Sequence, residues 1–142
     1  MKYTITLSIL LFSLITTSCK ETKNAIEDTS NEIVSGKYEI KSLNGRMLVY
    51  TLFFDYEASE DRISGKTGCN SYFGTFKPTN DNQIKIGPLA STEMYCEEDV
   101  MKIEFELLKA YGSSKTYNFD NKMLALLDEN GNVLIRAYKI TK

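Results

Sequence analysis

The chain contains no histidine and no tryptophan, and only two prolines and three cysteines. The missing histidine removes Ser-His-Asp and Cys-His catalysis and every His-ligated metal site. Three cysteines are too few for a zinc site of four thiolates. Basic charge is not in excess: 17 Lys and Arg stand against 19 Asp and Glu, a net charge of −2. That balance weighs against a general nucleic-acid binder. Internal repeats, low-complexity tracts, phosphate-binding glycine loops and Ser-X-X-Lys pairs are also absent. What remains is 142 residues that are 42% apolar, 11% aromatic and 25% charged. That is the composition of one globular domain, not of a disordered acidic tail or a collagen-like fibre.

The N-terminus carries an address. Lys2 precedes a largely apolar run from Tyr3 to Ile15, and the small residues Thr16, Thr17 and Ser18 follow. This is the order of a secretory signal. The run is shorter than the roughly 20 residues a spanning helix needs. A buried N-terminal helix is the alternative, and the polar chain that follows at once weighs against it. The stretch Thr16-Thr17-Ser18-Cys19 resembles the lipobox of bacterial lipoproteins, with Thr16 where leucine is usual. That resemblance implies a cut before Cys19 and acylation of its new N-terminus. Ordinary cleavage, leaving Cys19 as a free or paired thiol, is the other reading. Each buried methylene contributes about 0.8 kcal/mol, so a multiply acylated cysteine is a lasting anchor. Loss of residues 1–18 removes one cation, Lys2, and leaves 16 basic against 19 acidic residues. No second hydrophobic stretch follows.

Residues 19–35 are polar, mixed in charge and free of aromatics, the composition of a flexible tether. Residues 36–142 differ. Residues of one strand face recur with period two at Tyr38, Ile40 and Ser42, at Leu48, Tyr50, Leu52, Phe54 and Tyr56, and at Ile63, Gly65 and Thr67. Tyr72, Gly74 and Phe76 continue the pattern, with short pieces at Ile84 and Ile86 and at Tyr117 and Phe119. Met123 to Leu127 is a continuous apolar run, and Val133, Ile135 and Ala137 alternate. Between them, Asp128-Glu129-Asn130-Gly131-Asn132 is a hairpin signal, because Asn-Gly accepts positive φ cheaply. Short strands at this spacing predict a mainly β fold, a small antiparallel barrel or roll. One segment breaks the period. Val100, Ile103, Leu107, Leu108 and Tyr111 fall at helical spacing, which predicts a helix over 97–111 packed on the barrel. Acidic Glu97, Glu98 and Asp99 suit its first turn, and Gly112 suits its C-terminal cap.

Past the signal, Cys69 and Cys96 remain, with 26 residues between them. In an exported chain such a pair is most simply a disulfide, which contributes roughly 3–4 kcal/mol for a loop of this size. A reactive thiol pair and two buried free thiols are the alternatives. The spacing is unlike the Cys-X-X-Cys of redox proteins.

The run from Gly65 to Phe76, centred on Gly68-Cys69-Asn70 and followed by Tyr72-Phe73-Gly74, resembles the META domain family of HslJ-like bacterial lipoproteins. A second landmark of that family resembles Leu89 to Cys96, with Thr92, Met94 and Cys96, followed by an acidic helix. Gly36-Lys37-Tyr38 and Leu43-Asn44-Gly45 match its first strand and turn. Most members carry Trp where Tyr38 stands and a small residue where Tyr95 stands. The resemblance implies an antiparallel barrel-like fold in an envelope lipoprotein and no particular reaction. The motif residues read as structural: Gly68 for a tight turn, Gly74 for a close backbone approach, Asn70 for satisfying backbone groups. Thr92 reads as a local hydrogen-bonding residue near the helix start, not a nucleophile.

Carboxylates offer no acid/base pair by spacing. Glu97, Glu98 and Asp99 are consecutive and point apart on a helix. Glu57, Glu60 and Asp61 read as a solvated turn, and Asp120 and Asp128 as turn formers. The expectation is therefore a non-catalytic domain with no cofactor and no metal, monomeric, and held to the cell envelope through Cys19. The outer membrane is the expected location, on its periplasmic face or the cell surface. Three roles fit: an interaction or stress-response protein docking another envelope protein, a binder of a small hydrophobic ligand in an aromatic barrel mouth, or an accessory or inhibitor lipoprotein of an envelope assembly. The first is preferred, because a barrel of about one hundred residues leaves little interior beyond its side chains.

Overall fold

A computed structural model describes residues 32–141. The signal at 1–18, Cys19 and the tether up to residue 31 lie outside the described residues. Nine strands and one helix follow in order: β1 (Gly36–Leu43), β2 (Arg46–Glu57), β3 (Arg62–Lys66), β4 (Ser71–Pro78), β5 (Ile84–Ile86), β6 (Ala90–Ser91), α1 (Glu98–Ser113), β7 (Thr116–Asp120), β8 (Met123–Leu127) and β9 (Val133–Lys139). The sheet runs β5-β4-β3-β2-β1-β9-β8-β7, with β6 added beside β4. All pairings are antiparallel. A bridge between Gln83 and Thr116, with the Ile84 N–H donating to the Lys115 carbonyl at 2.9 Å, brings the two ends of this sheet together. The result is a nearly closed antiparallel barrel with one helix packed on it.

Local chemistry explains the meander. Asn44 (φ 48°) and Gly45 (φ 76°) form a left-handed two-residue turn between β1 and β2, the geometry that a tight hairpin needs. Asp128 organises the β8–β9 turn by accepting from the Asn130 and Asn132 N–H groups at 2.9 and 2.8 Å. Hydrogen bonds from Asn132 lead in holding its carboxyl below the usual carboxylate range.

The alternation read from the sequence marks the inward face. Tyr38, Ile40, Leu52, Phe54, Tyr56, Ile63, Tyr72 and Phe76 are all buried. Tyr50 departs from the expected face and is 48% exposed. Between Ile40↔Leu52 and Ser42↔Met47 the register jumps, so residues 48–51 of β2 lie opposite Lys41 alone. That multi-residue bulge turns the strand and carries Tyr50 outward. Ile33, ahead of the boundary that composition suggests, is buried in the core. The Tyr38 hydroxyl donates to the Val34 carbonyl at 2.6 Å, and the Ser35 hydroxyl accepts from the Ala58 N–H at 2.8 Å.

The helix also differs at its ends, running from Glu98 to Ser113 with Gly112 inside it. Ser114 ends it instead: its N–H reaches the Tyr111 carbonyl and its hydroxyl donates to the Ala110 carbonyl at 2.8 Å. One otherwise unpaired carbonyl of the last turn is thereby satisfied. Leu107, Ala110 and Tyr111 are buried. No helix among the described residues is long and apolar enough to cross a membrane.

Aromatic rings fill the barrel. Tyr38 stacks on Phe54 at 5.1 Å, Tyr56 meets Phe76 at 5.1 Å, and Tyr111 packs edge-on to Phe54 at 6.2 Å. The hydroxyls of Tyr72 and Tyr111 share a buried hydrogen bond of 3.0 Å. Burial raises the phenol pKa of Tyr38, Tyr72 and Tyr111, and pushes Tyr56 up to about 12. These phenols bind protons more tightly folded than unfolded. The stability they contribute is complete below the unfolded phenol value of about 10 and is lost as pH rises above it. A titration followed at 295 nm should therefore show some tyrosines ionising only together with cooperative unfolding, well above pH ~10. Ionisation of every tyrosine in one smooth step, with the far-ultraviolet signal intact, would contradict this.

Candidate functional site

The motif residues converge where the β3–β4 turn meets the segment ahead of α1. Thr67 follows β3, and its N–H donates to the Asn70 carbonyl at 2.9 Å, closing the turn. Gly68 makes that turn with φ +101°, a backbone state that side chains rarely adopt. A Cβ there would also approach Val100 of the helix at 3.2 Å.

Asn70 is the hub and is almost completely buried. Its side-chain oxygen accepts from the Thr92 hydroxyl at 2.7 Å and the Met94 N–H at 2.8 Å. Its amide nitrogen donates to the Glu104 carboxylate at 2.9 and 3.1 Å and to the Met94 carbonyl at 3.3 Å. The Asn70 backbone N–H points to the Thr67 hydroxyl at 3.0 Å and to Glu104 at 3.2 Å. The Thr67 hydroxyl donates to the same carboxylate. One asparagine therefore fastens together the β3–β4 turn, the strand β6 region and the helix. Every donor and acceptor of its side chain is used, which leaves nothing to offer a ligand. Among the described residues no buried side-chain nitrogen or oxygen lacks a partner.

Cys69 and Cys96 are joined as a disulfide, Cα to Cα 6.0 Å, immediately beside this hub. The Thr92 hydroxyl does not act locally, as its place near the helix suggests. It bridges to Asn70 and accepts from the Ser71 N–H at 3.2 Å, about twenty residues away in sequence. Met94 takes part only through its backbone, its side chain being exposed. Gly74 sits apart on β4, where a Cβ would meet Leu89 Cδ2 at 2.7 Å and the Pro88 carbonyl at 3.0 Å. Gly74→Ala should lower stability by roughly 2 kcal/mol through overpacking, read as a lower urea midpoint at unchanged slope. An unchanged midpoint would mean that the Pro88–Leu89 segment yields freely.

Glu104 and Thr67 carry the network, and the motif reading did not single them out for it. The signal was present for Glu104. It lies four residues after Val100 and three before Leu107, a carboxylate on the apolar stripe of the helix. The arrangement is that of a structural clasp. Among the described residues, no three Cys, Asp or Glu side chains are placed to hold a metal.

Tyr38 and Tyr95, the two departures from the family pattern, sit differently. Tyr38 is fully buried and uses its hydroxyl on Val34, whereas Tyr95 is 90% exposed.

Similar folds occur among solved structures. A protein from Burkholderia xenovorans, solved by NMR, superposes with a TM-score of 0.60 at 20% identity, over 75% of this chain and 83% of that one. A second NMR structure gives 0.56 at 18% identity, over 72% and 88%. A DUF4847-family protein from Bacteroides vulgatus gives 0.51 at 16% identity, over 64% and 60%. At such identities the likeness is one of fold. No curated protein matches the chain. The model of the META domain matches residues 31–139, more than half of the sequence, and the chain belongs to the META domain family.

Proposed function

We propose that the protein is a cell-envelope lipoprotein, anchored through Cys19 at the outer membrane, whose META domain is a non-catalytic interaction module with a stress-response role. The observation that favours interaction over ligand binding is the filled barrel. Tyr38, Phe54, Tyr72, Phe76 and Tyr111 occupy the interior, each less than 2% exposed. A small hydrophobic ligand would need space that these rings already hold. The polar groups of Asn70 and Thr92, in turn, are spent within the clasp. What a partner meets is therefore the outer surface.

The anchor is tested by Cys19→Ala. The wild-type chain should partition with membranes and take up labelled palmitate, and the variant should lose both. A variant that still fractionates wholly with membranes would remove the anchor from this reading. The interaction role is tested by crosslinking in the source cells. A discrete adduct is expected, and recovery of the uncrosslinked chain alone would overturn it.

A further inference from the structure

We propose that the groove between the outer face of α1 and the β1–β2 turn docks an acidic, aromatic-bearing segment of a partner protein. This rests on the interaction reading above and names its site and chemistry. The groove encloses about 500 Å³ and is lined by Asn44, Lys102, Phe105, Lys109, Ala110 and Leu134. Phe105 is 67% exposed, a large ring left against water on an otherwise charged helix face. Lys102, Phe105 and Lys109 are spaced by three and four residues, so they share that face.

Charge selects the occupant. Glu106, the acid of the lining, is taken by Arg46 at the start of β2. Among the described residues Lys102 and Lys109 have no ion-pair partner. An acidic chain, net −2, thus carries a locally basic groove with an apolar floor. The two lysines are seven residues apart, about 10 Å along the helix, a distance that an extended chain spans in about three residues. A segment with one bulky apolar side chain between two carboxylates matches both features.

The test uses the full chain in phosphatidylcholine nanodiscs, titrated against a fluorescein-labelled peptide, Asp-Glu-Phe-Leu-Asp-Glu. Anisotropy should rise saturably at low salt and weaken several-fold as salt increases. The Lys-Lys-Phe-Leu-Lys-Lys counterpart should not bind. Lys102→Glu/Lys109→Glu should weaken the acidic peptide about tenfold or more, and Phe105→Ala should weaken it with the salt dependence retained. These side chains are on the surface, so circular dichroism should match the wild type. Equal binding of both peptides, or indifference to the lysine variant, would overturn the proposal. Preferential binding to phosphatidylglycerol vesicles through the same lysines would overturn it in favour of a membrane surface. A crosslinked adduct in cells that survives the lysine variant would remove the groove while leaving the interaction role standing.

Discussion

Asn70→Asp should cost about 4 kcal/mol at neutral pH, a large share of a typical domain stability of roughly 5–15 kcal/mol. The substitution changes one atom's chemistry and no volume, so packing is not the cause. The amide nitrogen that donates to Glu104 and to the Met94 carbonyl becomes an acceptor. A carboxylate then faces a carboxylate at about hydrogen-bond distance, in a place nearly sealed from water. Each buried acceptor left without its donor costs roughly 1–3 kcal/mol, and the like-charge repulsion adds to that. The sign of the pH response follows. Facing Glu104 raises the introduced carboxyl above its unfolded value, so the folded variant binds an extra proton that the unfolded chain releases. Its stability falls as pH rises above the unfolded carboxyl range of about 4 and partly returns as pH drops towards it. Urea unfolding of wild type and variant at neutral pH and near pH ~4.5 reads this directly. The difference between them should narrow in acid. A variant within about 1 kcal/mol of wild type at neutral pH would mean that the clasp is ornamental.

That prediction depends on a residue the motifs did not mark, and the reason is instructive. Strand positions were legible because the barrel has one wet and one dry face, so burial imposes a period of two. Tyr38, Ile40, Phe54 and Ile63 follow from that rule. Tyr50 breaks it because a bulge is a register event between two strands, and alternation within one strand does not record it. The strand β6, two residues long, is too short to show any period. The helix boundary shifted because a serine side chain, rather than the glycine, supplied the terminal hydrogen bond. Glu104 was visible as a carboxylate on an apolar stripe, yet its partners lie 34 and 37 residues away in sequence. Spacing arguments reach one element at a time. The Gly-Cys-Asn run and the Thr92–Cys96 landmark were each readable as motifs, but their shared purpose appears only when the turn and the pre-helix segment stand side by side.

Removing the disulfide with Cys69→Ser/Cys96→Ser should cost roughly 3.5 kcal/mol by the loop-closure relation for a separation of 27 residues. For a domain of this size that is a fall in Tm of about 10–20 °C. The closed loop contains β4, β5 and β6, and the last of these pairs with β4 through only Tyr72↔Ser91 and Phe73↔Ala90. So weak a strand needs its far end held. Cys96 and the Asn70 clasp hold it together, one covalently and one by hydrogen bonds to Thr92 and Met94. Two fasteners on one short segment should not act independently. Once the disulfide is gone, the segment opens more readily, and Asn70→Asp then has less native structure left to lose. The two costs should therefore add to less than their separate values by about 1 kcal/mol or more. Calorimetry on the wild type, the two single changes and the combination measures that coupling. Strict additivity would mean that the disulfide acts only on the unfolded chain, and that the clasp alone positions the segment between β6 and α1.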